Sequence, residues 1–135
     1  EELNYYKSKG RVIVKPFVTY QELQYLIASV DVNIIPLIQN EFNECKSELK
    51  YFEASIVNTV SIASNNLVYS AIIKDGENGF LAGTTEWFEK LEYVYLNMDK
   101  INDIISDARD FCLDRYGSSK QTERLEKLYD SIIDM

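Results

Sequence analysis

DVNIIPLIQNEFNECKSELKYFEASIVNTVSIAS, residues 31–64, reads as strand, loop, helix, strand. Val32-Asn33-Ile34-Ile35-Pro36-Leu37 is rich in β-branched residues and predicts a strand, with Pro36 ending its ladder because proline has no N–H to donate. Residues 38–46 are polar and predict a loop. Leu49, Phe52, Ile56 and Val57 then recur at i, i+3, i+7 and i+8, the spacing of one helical face, and predict a helix over 47–57. Asn58 suits the left-handed residue that closes a helix. Val60-Ser61-Ile62-Ala63 predicts a further strand. Two strands joined through a helix make a parallel pair.

One residue breaks the apolar face of that helix. Glu53 sits at i+4, where the side chain turns inward. An unpaired buried charge is costly, so either the protein or a ligand must satisfy this carboxylate. The plainer expectation is an internal salt bridge, with Lys50 the nearest partner in sequence.

Outward from this unit the pattern continues. Val12-Ile13-Val14, between Gly10 and Pro16, predicts a buried strand. Thr19-Tyr20-Gln21-Glu22 is a capping box, followed by Leu23, Leu26, Ile27 and Val30 at helical spacing. A short helix is expected over 68–73, a turn at Asp75-Gly76-Glu77-Asn78-Gly79 and a short strand at Phe80-Leu81. Three helical stripes finish the chain: Trp87, Leu91, Val94, Tyr95 and Met98; Ile101, Ile104, Ile105, Ala108 and Phe111; and, after Gly117-Ser118-Ser119, Leu125, Leu128, Tyr129, Ile132 and Ile133. Residues 1–9 read as the tail of a helix. The expected fold is α/β: a Rossmann-like parallel sheet with helices on both faces and a C-terminal helical extension. Such sheets bind ligands outside the carboxyl ends of their strands. The expected binding loops are therefore Pro16–Thr19, Ile38–Ser47 and Ser64–Leu67. The helix that opens near residue 47 offers free N–H groups to an anion.

Composition narrows the functions. The chain has 135 residues, enough for one domain with a core. Its net charge of −8 argues against a nucleic-acid partner, although Lys46 and Lys50 form a local basic spot. The absence of any histidine excludes Ser-His and Cys-His pairs within the chain. Cys45 and Cys112 lack metal-ligand spacing and imply no structural disulfide, in keeping with a reducing compartment. No apolar run is long enough for a membrane span. The acidic start is unlike a signal peptide, and the missing initiator Met predicts a fragment. There is no Gly-rich dinucleotide fingerprint and no P-loop. Plain structural expectations stand for the rest: Glu48 solvated or paired locally, Cys45 a small loop residue, the 75–79 segment a turn without chemistry, and Trp87 and the tyrosines as core and rim packing.

The order of these segments, with Asp31–Pro36, Lys50–Ser64 and Asp75–Leu81 carrying most of the likeness, resembles the C-terminal, nucleotide-sugar-binding half of the retaining group 1 (family 4-like) glycosyltransferases of GT-B fold. The resemblance spans nearly the whole chain. It implies that Glu53 is the second glutamate of an E-x7-E motif and accepts hydrogen bonds from the donor ribose. It implies that Lys50 lies near the diphosphate and that Glu44, Cys45, Lys46 and Ser47 approach the donor sugar. It also implies that the backbone of Val18 meets the base. The chain departs from the family pattern where the first glutamate falls, which is Cys45 here, with Glu44 one residue away. Asn58 and Val60 stand in place of the usual Gly and Pro, and no basic turn precedes Val12. The resemblance implies one C-terminal donor-binding domain of a larger enzyme, without its first strand and its N-terminal acceptor domain. By itself such a fragment is expected to be inactive. The implied reaction is retaining sugar transfer from a nucleotide-diphospho-sugar to a glycan, polysaccharide or glycolipid. Neither cofactor nor metal is expected, and the implied location is cytoplasmic, with peripheral association at the inner face of the membrane. The rival reading is a non-catalytic interaction module derived from such an enzyme, with its three C-terminal helices as the partner surface.

Overall fold

A computed structural model describes residues 2–133. Their order is α1 (Glu2–Ser8), α2 (Tyr20–Ala28), β1 (Val32–Ile35), α3 (Glu41–Glu44), α4 (Leu49–Ser55), β2 (Val60–Ser64), α5 (Leu67–Ser70), β3 (Phe80–Ala82), α6 (Trp87–Leu96), α7 (Met98–Tyr116) and α8 (Ser118–Ile133). The three strands form one parallel sheet in the order β1-β2-β3. Val32 pairs with Val60 in register, and Ile62 with Phe80.

All five residues of β2 are buried. Because successive side chains of a strand point to opposite faces, β2 feeds two cores. Val60 and Ile62 join Phe80, Ala82, Val94 and Ile101 on one side. Ala63 joins Ile35, Tyr51, Tyr69, Ala108 and Cys112 on the other. Helix α4 packs into the second cluster because Tyr51, Ala54 and Ser55 are buried along it. The domain is thus an α/β sheet flanked by helices, as the alternation of patterns predicts.

Local chemistry closes the elements as expected. The Thr19 hydroxyl accepts from the Glu22 N–H, and the Glu22 carboxylate accepts from the Thr19 N–H at 2.9 Å. Asn58 adopts φ 63°, the left-handed form. In the 75–79 turn, Asn78 accepts from the Lys74 N–H at 2.7 Å and donates to the Ile72 carbonyl. Gly79, at φ 152°, lies against Ile73, Tyr51 and the Ser61 carbonyl, so a side chain there would be both strained and crowded.

Four expectations of the fold fail, the first at residues 38–46, where the Asn40 side chain caps helix α3 within the expected loop. Val12–Val14 forms no strand, and Ile13 is 77% exposed. A β-branched run becomes a strand only beside a neighbour to hydrogen-bond, and β1 is paired on one edge only among the described residues. The last stripe is not core: Leu125, Leu128, Tyr129, Ile132 and Ile133 are 52–79% exposed. Helical periodicity specifies that a face is apolar but not what covers it. Tyr95 is likewise exposed while its neighbour Val94 is fully buried. Among the described residues no helix is long and apolar enough to cross a membrane.

Candidate functional site

The carboxyl ends of the three strands meet at one edge. There the Ser64 hydroxyl stitches two loops together, accepting from the Leu37 N–H at 2.7 Å. The Asn65 N–H donates to the Ala82 carbonyl at 2.9 Å, and the Gln39 side-chain amide donates to the Asn65 carbonyl at 3.1 Å. These bonds frame a depression of about 300 Å³ bounded by Pro36, Leu37, Ser64, Gly83, Thr84 and Trp87. A second, more open depression of about 750 Å³ adjoins it, sharing Gln39 and Asn65.

Most residues that line the second depression are polar or acidic. Asn40 caps α3 by accepting from the Asn43 N–H at 2.9 Å. The Glu44 carboxylate crosses to the β2–α5 loop, where one oxygen accepts from the Leu67 N–H at 2.9 Å. Cys45, a free thiol, is exposed beside it. On the facing wall, Asn66 Oδ1 accepts from the Tyr69 N–H at 3.0 Å. Thus Glu44 and Cys45 face Asn65 and Asn66 across one cleft, as the expected loops 38–47 and 64–67 imply.

Helix α4 carries the second group of sequence-derived residues. Glu53 is only 7% exposed. Among the described residues no hydrogen bond or ion pair reaches its carboxylate; the internal salt bridge to Lys50 does not form. Burial pushes its pKa up, and the Lys50 ammonium pulls it partly back. Lys50 is exposed one turn away. The helix itself is anchored from below, where Asn33 donates to the Lys50 carbonyl at 3.3 Å and to the Ser61 hydroxyl at 3.1 Å. Ser47 and Lys46 are exposed ahead of the helix, with the Lys46 ammonium 4.7 Å from the centre of the Phe42 ring. Neither Lys50 nor Glu53 lines the two depressions. Val18, half-buried just before α2, lies outside both as well.

Glu48 departs from expectation. It is the N-cap of α4, yet it makes no capping bond. Its carboxylate accepts instead from the hydroxyl of Tyr116, which is itself bonded by Arg115 Nε at 2.9 Å. That contact, with α7 rather than with a neighbour in sequence, holds the Glu48 pKa below the ordinary carboxylate range. Gln39, Ser64, Asn65 and Asn66 line the depressions from within the expected loops 38–47 and 64–67, whereas Gly83 and Thr84 lie outside every expected loop and Trp87 is read from sequence as packing. Their common signal is position: each follows, closes or lies just beyond a strand. Among the described residues no three acidic or sulfur ligands cluster as a metal site would require.

No family profile and no curated protein matches the chain in sequence. Its fold, however, is similar to the crystal structure of the C-terminal domain of LpcC, a group 1 family glycosyl transferase from Francisella tularensis. The TM-score is 0.70 at 18% identity, over 86% of this chain and 60% of that one. The chain therefore spans about three fifths of the length of that solved domain. In fold, this protein is an α/β domain similar to the C-terminal domain of a GT-B glycosyltransferase.

Proposed function

We propose that this chain is the donor-binding domain of a retaining glycosyltransferase and holds a nucleotide-diphospho-sugar along the carboxyl edge of its sheet. The observation that carries this reading is Glu53, a largely buried residue on the helix that starts at that edge, whose carboxylate makes no hydrogen bond or ion pair among the described residues. A vicinal diol supplies two O–H donors to one carboxylate, which is what a ribose would offer Glu53. Hydrogen bonds to a charged group contribute roughly 1.5–3 kcal/mol. The exposed ammonium groups of Lys50 and Lys46 suit the diphosphate, and Glu44 to Ser47 suit the sugar. Val18 offers its backbone to the base.

The likeness in fold to a glycosyltransferase domain supports the reaction class. In this reading the acceptor, a glycan, polysaccharide or glycolipid, is bound by an N-terminal domain of a longer polypeptide. That polypeptide works on the cytoplasmic side without a metal, and this chain alone binds donor but does not turn over. Titration with UDP, GDP, ADP and CMP, followed by calorimetry and amide NMR, tests it. Saturable binding of one nucleotide, with shifts at residues 44–53, is expected. A folded protein that binds none of them would refute a competent donor site.

A second reading, a non-catalytic interaction module, is favoured by one observation: the apolar stripe of α8 is exposed along its whole length. The same titration separates the two, since a module that has lost donor binding gives no nucleotide-dependent shifts.

A further inference from the structure

Helix α8 has no buried residue among those described, and its main packing is against α7. Its seating is set at the joint between the two. Gly117 stands there because a side chain would strike the Leu113 carbonyl, which accepts from the Gly117 N–H at 2.8 Å. The last carbonyls of a helix have no partner within it. At the end of α7 the Arg115 carbonyl finds two partners on α8, accepting from Gln121 Nε2 at 2.6 Å and from an Arg124 guanidinium nitrogen at 2.7 Å. Lys120 adds an ion pair to Asp114 at 3.6 Å.

The residue whose backbone receives α8 reaches the other way with its side chain. Arg115 Nε donates to the Tyr116 hydroxyl at 2.9 Å, and that hydroxyl donates to the Glu48 carboxylate. Hydrogen bonds in series polarise and strengthen one another. Glu48 is the N-cap of α4 and stands between Lys46-Ser47 and Lys50. Its side chain makes no capping bond to its own helix, so the contact with Tyr116 ties the start of α4 to the end of α7. We propose that Tyr116 is a positioning residue, and that through it the seating of α8 on α7 sets the segment Lys46–Lys50. A shift of α8 at the Gly117 joint moves the Arg115 carbonyl, and with it the tyrosine that holds Glu48. The consequence for a phosphate at Lys46 and Lys50 rests on the donor-binding reading above; the coupling of α8 to α4 does not.

Gln121→Ala combined with Arg124→Ala loosens the joint without touching a buried residue. Tyr116→Phe cuts the relay while keeping the ring on Phe52. Backbone amide NMR of the wild type, the α8 double variant, Tyr116→Phe and the triple variant reads the coupling with no ligand present. The α8 substitutions should move the amides of residues 46–50 in the wild-type background and leave them in place in the Tyr116→Phe background. Shifts confined to the joint, or equal shifts at 46–50 in both backgrounds, would overturn the proposal. Calorimetry with UDP, GDP and ADP then reads the consequence. For the diphosphate that binds, the α8 double variant and Tyr116→Phe should each weaken affinity about three- to tenfold, and the triple variant no further. Unchanged affinity, or losses that simply add, would overturn the transmission to Lys46 and Lys50. A folded wild-type protein that binds none of the three would refute the donor-binding reading, while the NMR comparison still decides the relay.

Discussion

The hydroxyl of Tyr116, the last residue of α7, donates to the carboxylate of Glu48 at the N-cap of α4, although 68 residues separate them. The Phe52 and Tyr116 rings pack edge to face at a centroid distance of 5.2 Å, so the same tyrosine packs on α4 as well. The end of the longest helix is thereby tied to the segment that presents Lys46 and Ser47.

Tyr116→Phe keeps the ring contact and removes the donor. A hydrogen bond to a charged but partly solvated carboxylate should be reduced by screening, to about 1 kcal/mol of stability at neutral pH. Glu48 has a depressed folded-state pKa, so its contribution is present above the unfolded carboxylate value and is lost as pH falls through the folded one. Chemical denaturation at pH 7 should show the deficit. Repeated at pH values below the carboxylate range, it should show the variant and wild type converging. A deficit that persists undiminished in acid would assign the effect to packing instead.

Glu53→Gln should separate function from stability. Nucleotide affinity should fall by about 1.5–3 kcal/mol, tenfold or more, measured by calorimetry. Stability at neutral pH should hold or rise. The folded-state pKa of Glu53 is raised, so the native protein is favoured with this group protonated and loses that advantage as pH rises from the unfolded to the folded value. Nucleotide binding should weaken in the opposite direction, as pH falls and the carboxylate protonates. Unchanged affinity in the glutamine variant would remove Glu53 from the site.

Lys50→Ala should weaken UDP or GDP binding more than binding of the matching nucleoside, because an exposed ammonium acts on phosphate charge. The difference should shrink in high salt. Equal losses for nucleotide and nucleoside would place Lys50 away from the phosphates.

Burial predicts a sharp contrast between two apolar positions. Ile62→Ala, in the fully buried centre of β2, should cost about 2–5 kcal/mol in denaturant melts. Leu128→Ala on α8, where the side chain is 55% exposed, should change stability by about 0.5 kcal/mol or less. A large loss at Leu128 would mean that the α8 stripe is covered in solution.

Much of this architecture is readable along the chain because its causes are local. The capping box at Thr19, the left-handed Asn58, the turn at Asp75–Gly79 and the central strand Val60–Ser64 all follow from side chains within a few residues of one another. The inward Glu53 is legible for the same reason, since helical spacing alone places it on the buried side. Sequence could not show that Glu53 lacks a partner, because a partner can come from anywhere in the fold.

Val12–Val14 and Leu125–Ile133 mark the other limit. Both have the composition of buried elements, yet most of their apolar side chains are exposed among the described residues, since strand pairing and helix docking need a second surface that local patterning cannot supply. The pairing of Glu48 with Tyr116 and the buried, unpartnered amide nitrogen of Asn66 are likewise beyond sequence reading. Local propensity and periodicity set which segments are able to become helix or strand and which faces are apolar. Only tertiary packing set which distant groups meet, because hydrogen bonds and desolvation depend on through-space neighbours rather than on order along the chain.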